Sequence, residues 1–395
     1  MKNNITIILF LGLVLGISSH AAAKPLKVFI LAGQSNAQGH ANFTTFDAMK
    51  SSPETAAILA DMVDADGTPV VCEKVWISSI GSAGEDADGL PREQTGKLTA
   101  GFGASTKQIG PEFTLGIYLE KALDEPILII KTAWGGRSIH TDFRPPSAGP
   151  KVIGDNILAQ WKERNLDIDE ETAKATKNVR VTYNQMIAHV QKVLADIGRV
   201  VPDYDAAEGF ELAGFVWFQG WNDYCDSGTY PNRSKEGGYD DYTRLLRLFI
   251  KDVRKDLAAP DMPFVIGVMG VDGKKGENQA DMRNFRAAQT AAADLPEFEG
   301  NVAVVQTSLY WADDLSDVQD RWAKVYYGPL AAELKENPGW NQEERDAAVE
   351  RAKRDNFTPE EIELLKGVSN GGYHYLGAAK ILAPIGKAFA EALYR

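Results

Sequence analysis

The stretch Lys27–Asn36, with the sequence KVFILAGQSN, decides the architecture of this chain. Its first part is an apolar run of strand length, which breaks at Gly33 into the polar turn Gln34–Asn36. A strand that ends in Gly-x-Ser places the serine at the carboxyl end of a sheet, where open α/β sheets bind their ligands. Ser35 is therefore a candidate nucleophile, because its hydroxyl and its N–H can face one crevice. The same pattern also fits a strand followed by an ordinary capped turn.

The rest of the chain alternates apolar runs of strand length with helix-like segments. After the first run, the others occupy residues 75–77, 126–130, 214–218, 264–268 and 302–305. The run at 126–130 is continuously aliphatic, which is typical of a parallel strand buried on both faces. This order predicts an α/β fold, a three-layer α/β/α sandwich with a mostly parallel sheet of five or six strands.

The chain begins with the pattern of an export signal. Lys2 precedes an apolar run from Ile5 to Ile17, and small residues follow at 21–23. This pattern predicts a secretory signal peptide over residues 1–23 and a secreted or periplasmic protein. Retention of the run as a membrane anchor is the alternative, although the run is short for a bilayer.

The mature chain, residues 24–395, is predicted to be a single domain. The alternating pattern is interrupted near 140–178, which contains two proline and glycine clusters, and near 315–366, which is charged and helix-prone. We interpret both segments as insertions into the same domain, the second as a helical arm.

The charge balance restricts the partners. The formal net charge is −13 for the whole chain, and loss of Lys2 with the signal peptide makes it more negative. Such a surface argues against nucleic acid and against anionic membranes, because both repel an acidic protein. We therefore expect no nucleic acid partner, no membrane contact after signal-peptide removal, and a substrate that is neutral or meets a local basic patch.

The sequence predicts no metal and no cofactor. Its two cysteines, Cys72 and Cys225, form no cluster with histidines at zinc-ligand spacing. An exported chain can join two cysteines in a disulfide, and the sequence leaves this pairing open.

Few residues can serve as a histidine general base, because the mature chain has four histidines: His40, His140, His189 and His374. His189 lies beside the apolar face of a predicted helix, which favours a structural role. His374 lies in a glycine-containing loop just before the last helix. His40 and His140 also lie near the predicted sheet edge and are alternatives.

Glycine-containing turns at the strand ends supply the groups that acyl transfer needs. Ser35 can attack a carbonyl carbon, and His374 can take the hydroxyl proton and return it to the leaving alcohol. The N–H groups of Ser35 and of Gly135 or Gly136, with the side-chain amide of Gln219, can stabilise the oxyanion. We expect these turns to gather at one edge of the sheet.

Four motifs resemble one known superfamily. They are the turn Gly33–Asn36, the segment Trp134–Gly136, the turn Trp217–Gly220 and the late His374. Together they are similar to the SGNH hydrolases, and within these to the sialate O-acetylesterase and acetylxylan esterase branch, carbohydrate esterase family 6. The resemblance spans most of the mature chain.

The resemblance implies a flavodoxin-like three-layer fold and the removal of acetyl groups from sugar hydroxyls without a metal. Carried over by position, it assigns Ser35 as nucleophile and His374 as base. It assigns the oxyanion donors to Ser35, to Gly135 or Gly136, and to Gln219.

One departure from the family pattern concerns the residue that orients the histidine. The family has an acid three residues before its histidine, where this chain has Gly371. We consider Asp223 the first candidate for the missing acid and Glu112 the second. A backbone carbonyl, or a simple dyad of Ser35 and His374, is also open.

Further residues beside the motifs are candidates for substrate binding. Gln34 and Asn36 flank the nucleophile, and Arg137 follows the glycine pair. Trp221 and Tyr373 are aromatic, and aromatic faces stack well on sugar rings. Packing in the protein interior is the alternative for the aromatic residues, and solvation at the surface is the alternative for Arg137.

These observations predict an exported serine esterase that removes O-acetyl groups from carbohydrate, acetylated polysaccharide or a sialic-acid-type sugar, through an acetyl-serine intermediate. Two alternatives remain: a non-catalytic carbohydrate-binding protein on a decayed esterase scaffold, and an esterase for non-sugar acyl groups. The sequence leaves open the sugar, the hydroxyl and the oligomeric state.

Overall fold

The computed structural model describes residues 24–85 and 91–394. The predicted signal peptide, residues 1–23, lies outside the described residues. The strands of the described part are β1 (Leu26–Gly33), β2 (Ala41–Asn42), β3 (Val75–Ile80), β4 (Gln94–Lys97), β5 (Gln108–Ile109), β6 (Ile127–Ala133), β7 (Phe210–Phe218), β8 (Phe264–Val268) and β9 (Val302–Gln306).

Seven of these strands form one sheet in the order β4-β3-β6-β1-β7-β8-β9, and β2 and β5 pair separately. Every neighbouring pair of the large sheet is parallel except β3 with β4. The mostly parallel α/β fold is thus confirmed, but the sheet has one or two strands more than the five or six predicted. The missed strand is β4, whose sequence QTGK is polar and only half-buried, so no apolar run marks it.

Helices surround the sheet. They are α1 (Ser35–Gln38), α2 (Pro53–Met62), α3 (Pro111–Leu123), α4 (Asp155–Glu163), α5 (Ile168–Thr176), α6 (Val181–Ala195), α7 (Trp221–Cys225), α8 (Asp240–Asp256), α9 (Ala280–Ala291), α10 (Asp313–Val325), α11 (Ala331–Glu336), α12 (Gln342–Asn356), α13 (Pro359–Leu365) and α14 (Ala379–Leu393). No helix in residues 24–85 or 91–394 is long and apolar enough to cross a membrane.

The three layers can be read from two adjacent residues of β7. Successive side chains of a strand point to opposite faces of the sheet. Trp217 packs on Phe249 of α8, with ring centroids 4.2 Å apart, whereas Phe218 packs on Phe389 of α14 at 5.4 Å. Helix α6 joins the α8 layer, and α3 packs on α14 in the other layer. The sheet is therefore covered on both sides, with the core between the layers.

The sheet order places a crevice at the carboxyl end of β1. The chain runs from β1 to β3 and back to β6 on one side, and then crosses to β7 on the other side of β1. The last residue of β1, Gly33, is in register with Ala133 of β6 and with Phe218 of β7. The turns that follow these three strands consequently begin at the same level, at the switch point where α/β folds bind ligands.

Gly33 is required at this point by close approach. A Cβ atom on Gly33 would collide with the carbonyl oxygen of Phe218. Any larger residue would therefore push β1 and β7 apart just before the turn that holds Ser35.

The segments near 140–178 and 315–366 contain short helices, and Phe143 and Leu315 at their beginnings belong to the main core. Helices α4 and α5 have no buried residue. Helices α10–α13 have a small apolar cluster of their own, formed by Val318, Phe357 and Leu365.

Candidate active site

Ser35 is the first residue of α1, directly after β1. The residue is buried apart from 7% of its surface. Its Oγ has no hydrogen-bond partner among the described residues. Because α1 starts at Ser35, no earlier turn of helix supplies an acceptor for its N–H. Hydroxyl and amide are thus both available at the end of the central strand.

The glycine pair after β6 lies next to Ser35. A Cβ built on Gly135 would lie 3.9 Å from Cβ of Ser35. Both Gly135 and Gly136 are exposed, and in the described part of the chain neither N–H has a hydrogen-bond acceptor. Gly136 has a φ of 72°, the left-handed region that glycine adopts without strain. Two free donors therefore flank the candidate nucleophile.

Gln219 does not have the free amide that an oxyanion donor needs. Its Nε2 lies 2.6 Å from Oδ2 of Asp223, 3.0 Å from the carbonyl oxygen of Arg137 and 3.2 Å from Oε1 of Gln34. Two amide hydrogens already face three protein acceptors, and only 2% of the residue is exposed. In this structure Gln219 connects the turns that follow β1, β6 and β7, and its role as an oxyanion donor stays a prediction.

Gln34 is part of the same connection. Its Oε1 accepts hydrogen bonds from the backbone N–H groups of Gly220 and Asn222, and its Nε2 donates to Oδ1 of Asn222. The side chain is buried and its hydrogen bonds are internal. In this structure Gln34 joins two turns, and its contact with substrate stays a prediction.

Asp223 lies in α7 and is fully buried, but its carboxylate is not directed at the histidine. Its oxygens accept from the backbone N–H groups of Ile139 and His140, from Gln219 and from the hydroxyl of Tyr230. Burial raises the pKa of this carboxyl. The predicted hydrogen bond between Asp223 and His374 is not present among the described residues, and the carboxylate instead holds the loop after β6.

The second candidate acid, Glu112, is also occupied elsewhere. Its Oε2 lies 2.7 Å from Nζ of Lys131, and both side chains are fully buried. Its Oε1 accepts from the N–H of Gly110. The same Lys131 ammonium donates to the carbonyl oxygen of Gln38, the last residue of α1. Through this hydrogen bond the buried ion pair stabilises the end of α1, the helix that begins at Ser35.

His374 lies in the 3₁₀ turn Gly372–Gly377, which contacts α1. Its Nδ1 is 3.0 Å from Oδ1 of Asn370. That oxygen also accepts from the N–H of Gly371 at 2.8 Å, which identifies it as the carbonyl end of the amide. Since an amide oxygen can only accept, the proton of the neutral imidazole is on Nδ1, and Nε2 has the lone pair of a base. Sequence reasoning passed over Asn370, although it lies four residues before the histidine.

The described structure shows no hydrogen bond between Ser35 Oγ and the His374 ring. In unliganded enzymes such contacts are often long and tighten when substrate binds. The helix that begins at Ser35 and the turn that contains His374 are nevertheless in contact.

The loop that holds His374 is strained and strongly anchored. Tyr375 and Leu376 have φ values of 53° and 60°, in the left-handed region that non-glycine residues rarely adopt. Tyr375 is fully buried, and its hydroxyl accepts from the N–H of Gly270 and shares a hydrogen bond with Thr307, both at 2.7 Å. Such strain persists only where surrounding contacts enforce it, and it is concentrated at functional sites.

A second histidine lies against the first. The rings of His40 and His374 are stacked, with centroids 3.9 Å apart and planes 4° from parallel. Burial and the neighbouring His40 lower the pKa of His374 to about 4. Burial and the charge of Lys131 lower the pKa of His40 to about 4 as well. Both rings are therefore neutral at neutral pH, as a resting general base must be.

The position where the family has an acid is filled by an aromatic ring. A Cβ on Gly371 would come within 2.6 Å of Cε1 of Tyr373. The Tyr373 ring also meets the His374 ring edge-on, with centroids 4.4 Å apart. An acidic side chain at position 371 would therefore collide with the ring of Tyr373.

The remaining substrate-binding candidates divide into exposed and buried groups. Tyr373 is 47% exposed, and its ring lies 6.1 Å from that of half-buried Trp221. The Arg137 side chain is half-exposed and contacts Asp142. Asn36 is buried, and its Oδ1 has no partner among the described residues, so this oxygen is not on a surface that a sugar can touch.

His140, the other alternative base, is engaged outside the serine turn. Its Nε2 lies 2.9 Å from Oδ2 of Asp226, and its Nδ1 lies 2.7 Å from the hydroxyl of Thr141.

Cys72 and Cys225 are both unpaired. In the described residues no group of three or more His, Cys, Asp or Glu side chains is arranged to hold a metal ion.

The fold is a mostly parallel α/β sandwich with a serine directly after its central strand, and the turn that contains His374 contacts the helix that begins at this serine. The sequence model of the carbohydrate esterase, sialic acid-specific acetylesterase family matches residues 25–321. The match covers well over half of the chain, which therefore belongs to this family. The resemblance predicted from the four motifs is confirmed. A comparison with curated protein sequences gives no match.

Two solved structures are similar to this chain. One is a carbohydrate acetylesterase from Xanthomonas citri, at 17% identity and a TM-score of 0.39, with 70% of this chain and 49% of the other covered. This chain thus spans about half the length of the Xanthomonas protein. The other is a protein from Arabidopsis thaliana, at 17% identity and a TM-score of 0.37, with coverages of 72% and 86%.

Proposed function

We propose that this protein is an exported serine esterase that removes O-acetyl groups from carbohydrate through an acetyl-serine intermediate. Its family membership supports carbohydrate esterase activity. The single structural observation that supports catalysis most directly is the hydrogen bond from His374 to Asn370, because it leaves Nε2 of the histidine as a free base in the turn that contacts the Ser35 helix.

In the proposed reaction, Nε2 of His374 takes the proton of Ser35 as Oγ attacks the acetyl carbonyl carbon. The imidazolium then protonates the sugar oxygen, which leaves as the free hydroxyl. A water molecule, deprotonated by His374, attacks the acetyl-serine, and acetate and the free serine are released. No step needs a metal or another cofactor.

The oxyanion formed in both half-reactions needs donors that are unpaired in the resting protein. The N–H groups of Ser35, Gly135 and Gly136 meet this condition, whereas the amide of Gln219 does not. Backbone donors held in place before the reaction stabilise developing charge without a cost of reorganisation. We therefore assign the oxyanion hole to these backbone groups alone.

The substrate side of the site is aromatic. Tyr373 and Trp221 form a partly exposed wall beside His374, which suits the apolar face of a sugar ring. Arg137, with its half-exposed guanidinium, follows the glycine pair and can contact a polar or anionic substituent of the sugar. An acetylated carbohydrate is therefore the proposed substrate. The signal-peptide pattern of residues 1–23 supports the proposal that the reaction takes place outside the cytoplasm.

The decisive experiment measures acetate release from a panel of acetylated mono- and oligosaccharides, with Ser35→Ala as the matched variant. We expect the wild type to release acetate, and Ser35→Ala to fold normally and release none. Binding of the acetylated sugars without release by the wild type would instead identify a carbohydrate-binding protein. Release from long-chain acyl esters but not from sugars would identify an esterase for other substrates.

A further inference from the structure

We propose that His40 is a positioning residue for the general base: its ring, stacked on His374, together with Asn370 performs the orientation that an acid performs in the rest of the family. The inference rests on the proposed function and deepens it. In the usual triad one carboxylate fixes both the tautomer and the angle of the imidazole. Here the two tasks are divided between an amide and an aromatic ring.

The geometry restrains His374 from two directions. The Asn370 amide holds Nδ1 at 3.0 Å and so selects the tautomer. A single hydrogen bond, however, allows the ring to rotate about the axis of that bond. The His40 ring lies parallel to the His374 ring, at a centroid distance of 3.9 Å, and so blocks this rotation on one face. The Tyr373 ring meets it edge-on.

His40 is itself held firmly by its backbone. Its carbonyl oxygen accepts from Nε2 of Gln108 and lies within reach of the Ser369 hydroxyl, both at 3.2 Å. The Ser369 hydroxyl also accepts from the N–H of Asn42 and can donate to the carbonyl oxygen of Gly377. Ser369 therefore connects the His40 segment to the two ends of the loop that contains His374. These backbone contacts fix the position of one ring relative to the other.

The His40 side chain has no other evident task. Its Nε2 is buried, and among the described residues it has no hydrogen-bond partner. A buried polar atom without a partner costs stability, so an apolar ring would be favoured if packing were the only requirement. The contact that the ring does make is the stack on His374.

A neutral stacked ring also suits the charge that develops in the reaction. Because His40 is neutral at neutral pH, its stacked ring places no positive charge beside the imidazolium that forms when His374 takes the proton of Ser35. The nearby ammonium of Lys131 helps to keep His40 neutral. A charged group in place of His40 would oppose protonation of His374.

The test compares two substitutions of similar bulk in the mature protein. His40→Phe keeps a ring that can stack, and His40→Leu fills the space without one. We expect His40→Leu to lower kcat by about tenfold to a hundredfold with little change in KM, since a small misplacement of a catalytic group has effects of this size. His40→Phe should stay within about threefold of the wild type, because the stack is preserved.

A second readout does not depend on activity. With ¹⁵N-labelled histidine, NMR reports the protonated nitrogen of each ring, and His374→Gln identifies the signals of His374. We expect all three proteins to keep the Nδ1–H tautomer that Asn370 selects. The wild type and His40→Phe should show narrow ring signals for His374, whereas His40→Leu should show ring signals broadened by exchange between ring orientations, although circular dichroism shows an unchanged fold.

Equal activity of His40→Leu and the wild type would overturn the proposal, and so would equal loss of activity in both variants or equally narrow His374 ring signals in all three proteins. A wild type that releases no acetate would instead contradict the proposed function. In that case the NMR comparison still decides whether His40 orients the ring.

Discussion

Oδ1 of Asn370 lies 3.0 Å from Nδ1 of His374, in the place relative to the imidazole that a carboxylate takes in a Ser-His-Asp triad. A neutral amide can select the tautomer, but it gives less stabilisation to the imidazolium than a carboxylate does. The site is therefore a serine–histidine pair supported by an amide, and the acid expected from the family pattern is absent from this position.

Asn370→Ala tests the role of the amide. Without the acceptor, Nδ1 loses its partner and the ring can take the inactive tautomer, so we expect kcat to fall about tenfold to a hundredfold with KM little changed. Steady-state kinetics on an activated acetyl ester measures both parameters. A fall confined to KM would show that Asn370 contacts the substrate instead.

Asn370→Asp places a carboxylate in the same position at nearly constant volume. An anion beside the ring stabilises imidazolium, so the pKa of His374 should rise and the acid limb of kcat/KM should move to higher pH. We expect activity at pH 7 at least equal to that of the wild type. A lower activity with an unmoved acid limb would mean that the carboxylate does not face the ring.

The pH profile of the wild type follows from the lowered pKa of His374. The base must be neutral to accept the serine proton, and a pKa of about 4 keeps it neutral down to that pH. The half-maximal point of kcat/KM on the acid side is therefore expected near pH 4, rather than near the ordinary histidine value of 6.5. Circular dichroism over the same range separates titration from acid unfolding. An acid limb at 6.5 in the folded protein would contradict the prediction.

Gln219→Ala distinguishes a supporting residue from an oxyanion donor. Its amide is hydrogen-bonded in the resting protein and neutralises part of the polarity of buried Asp223. Its loss should therefore lower the free energy of unfolding by about 1–3 kcal/mol, together with kcat. An oxyanion donor is unpaired at rest, so its removal would lower kcat at unchanged stability. Denaturant unfolding and kinetics on the same variant decide between the two.

Gly371→Asp tests whether the missing acid can be restored at the family position. A side chain there collides with the ring of Tyr373, which would be pushed away from His374. We expect activity to fall rather than rise. In the double variant with Tyr373→Ala the space is free, and part of the lost activity should return. A gain from Gly371→Asp alone would show that the Tyr373 ring is not the obstacle.

The sequence by itself determined the fold class and the sheet edge at which the candidate site lies. The apolar run before Gly33 and the alternation that follows it predict a parallel sheet, because both are local patterns with a physical period. Ser35 and the Gly135–Gly136 pair could be located in advance, since the carboxyl ends of neighbouring parallel strands lie at one edge. The seventh strand, β4, gave no signal because it is polar.

Only the tertiary structure decided which polar side chains are free and which are engaged. Gln219 and Asp223 stand at the right strand end in the sequence, but their hydrogen bonds go to each other and to the loop after β6. Conversely, Asn370 and His40 are inconspicuous in the sequence, and they meet His374 through a strained loop and a ring stack. Hydrogen bonds and ring contacts depend on distances of a few tenths of an ångström between residues far apart in the chain. A one-dimensional pattern contains no such distances, so the orientation of the base was settled by packing.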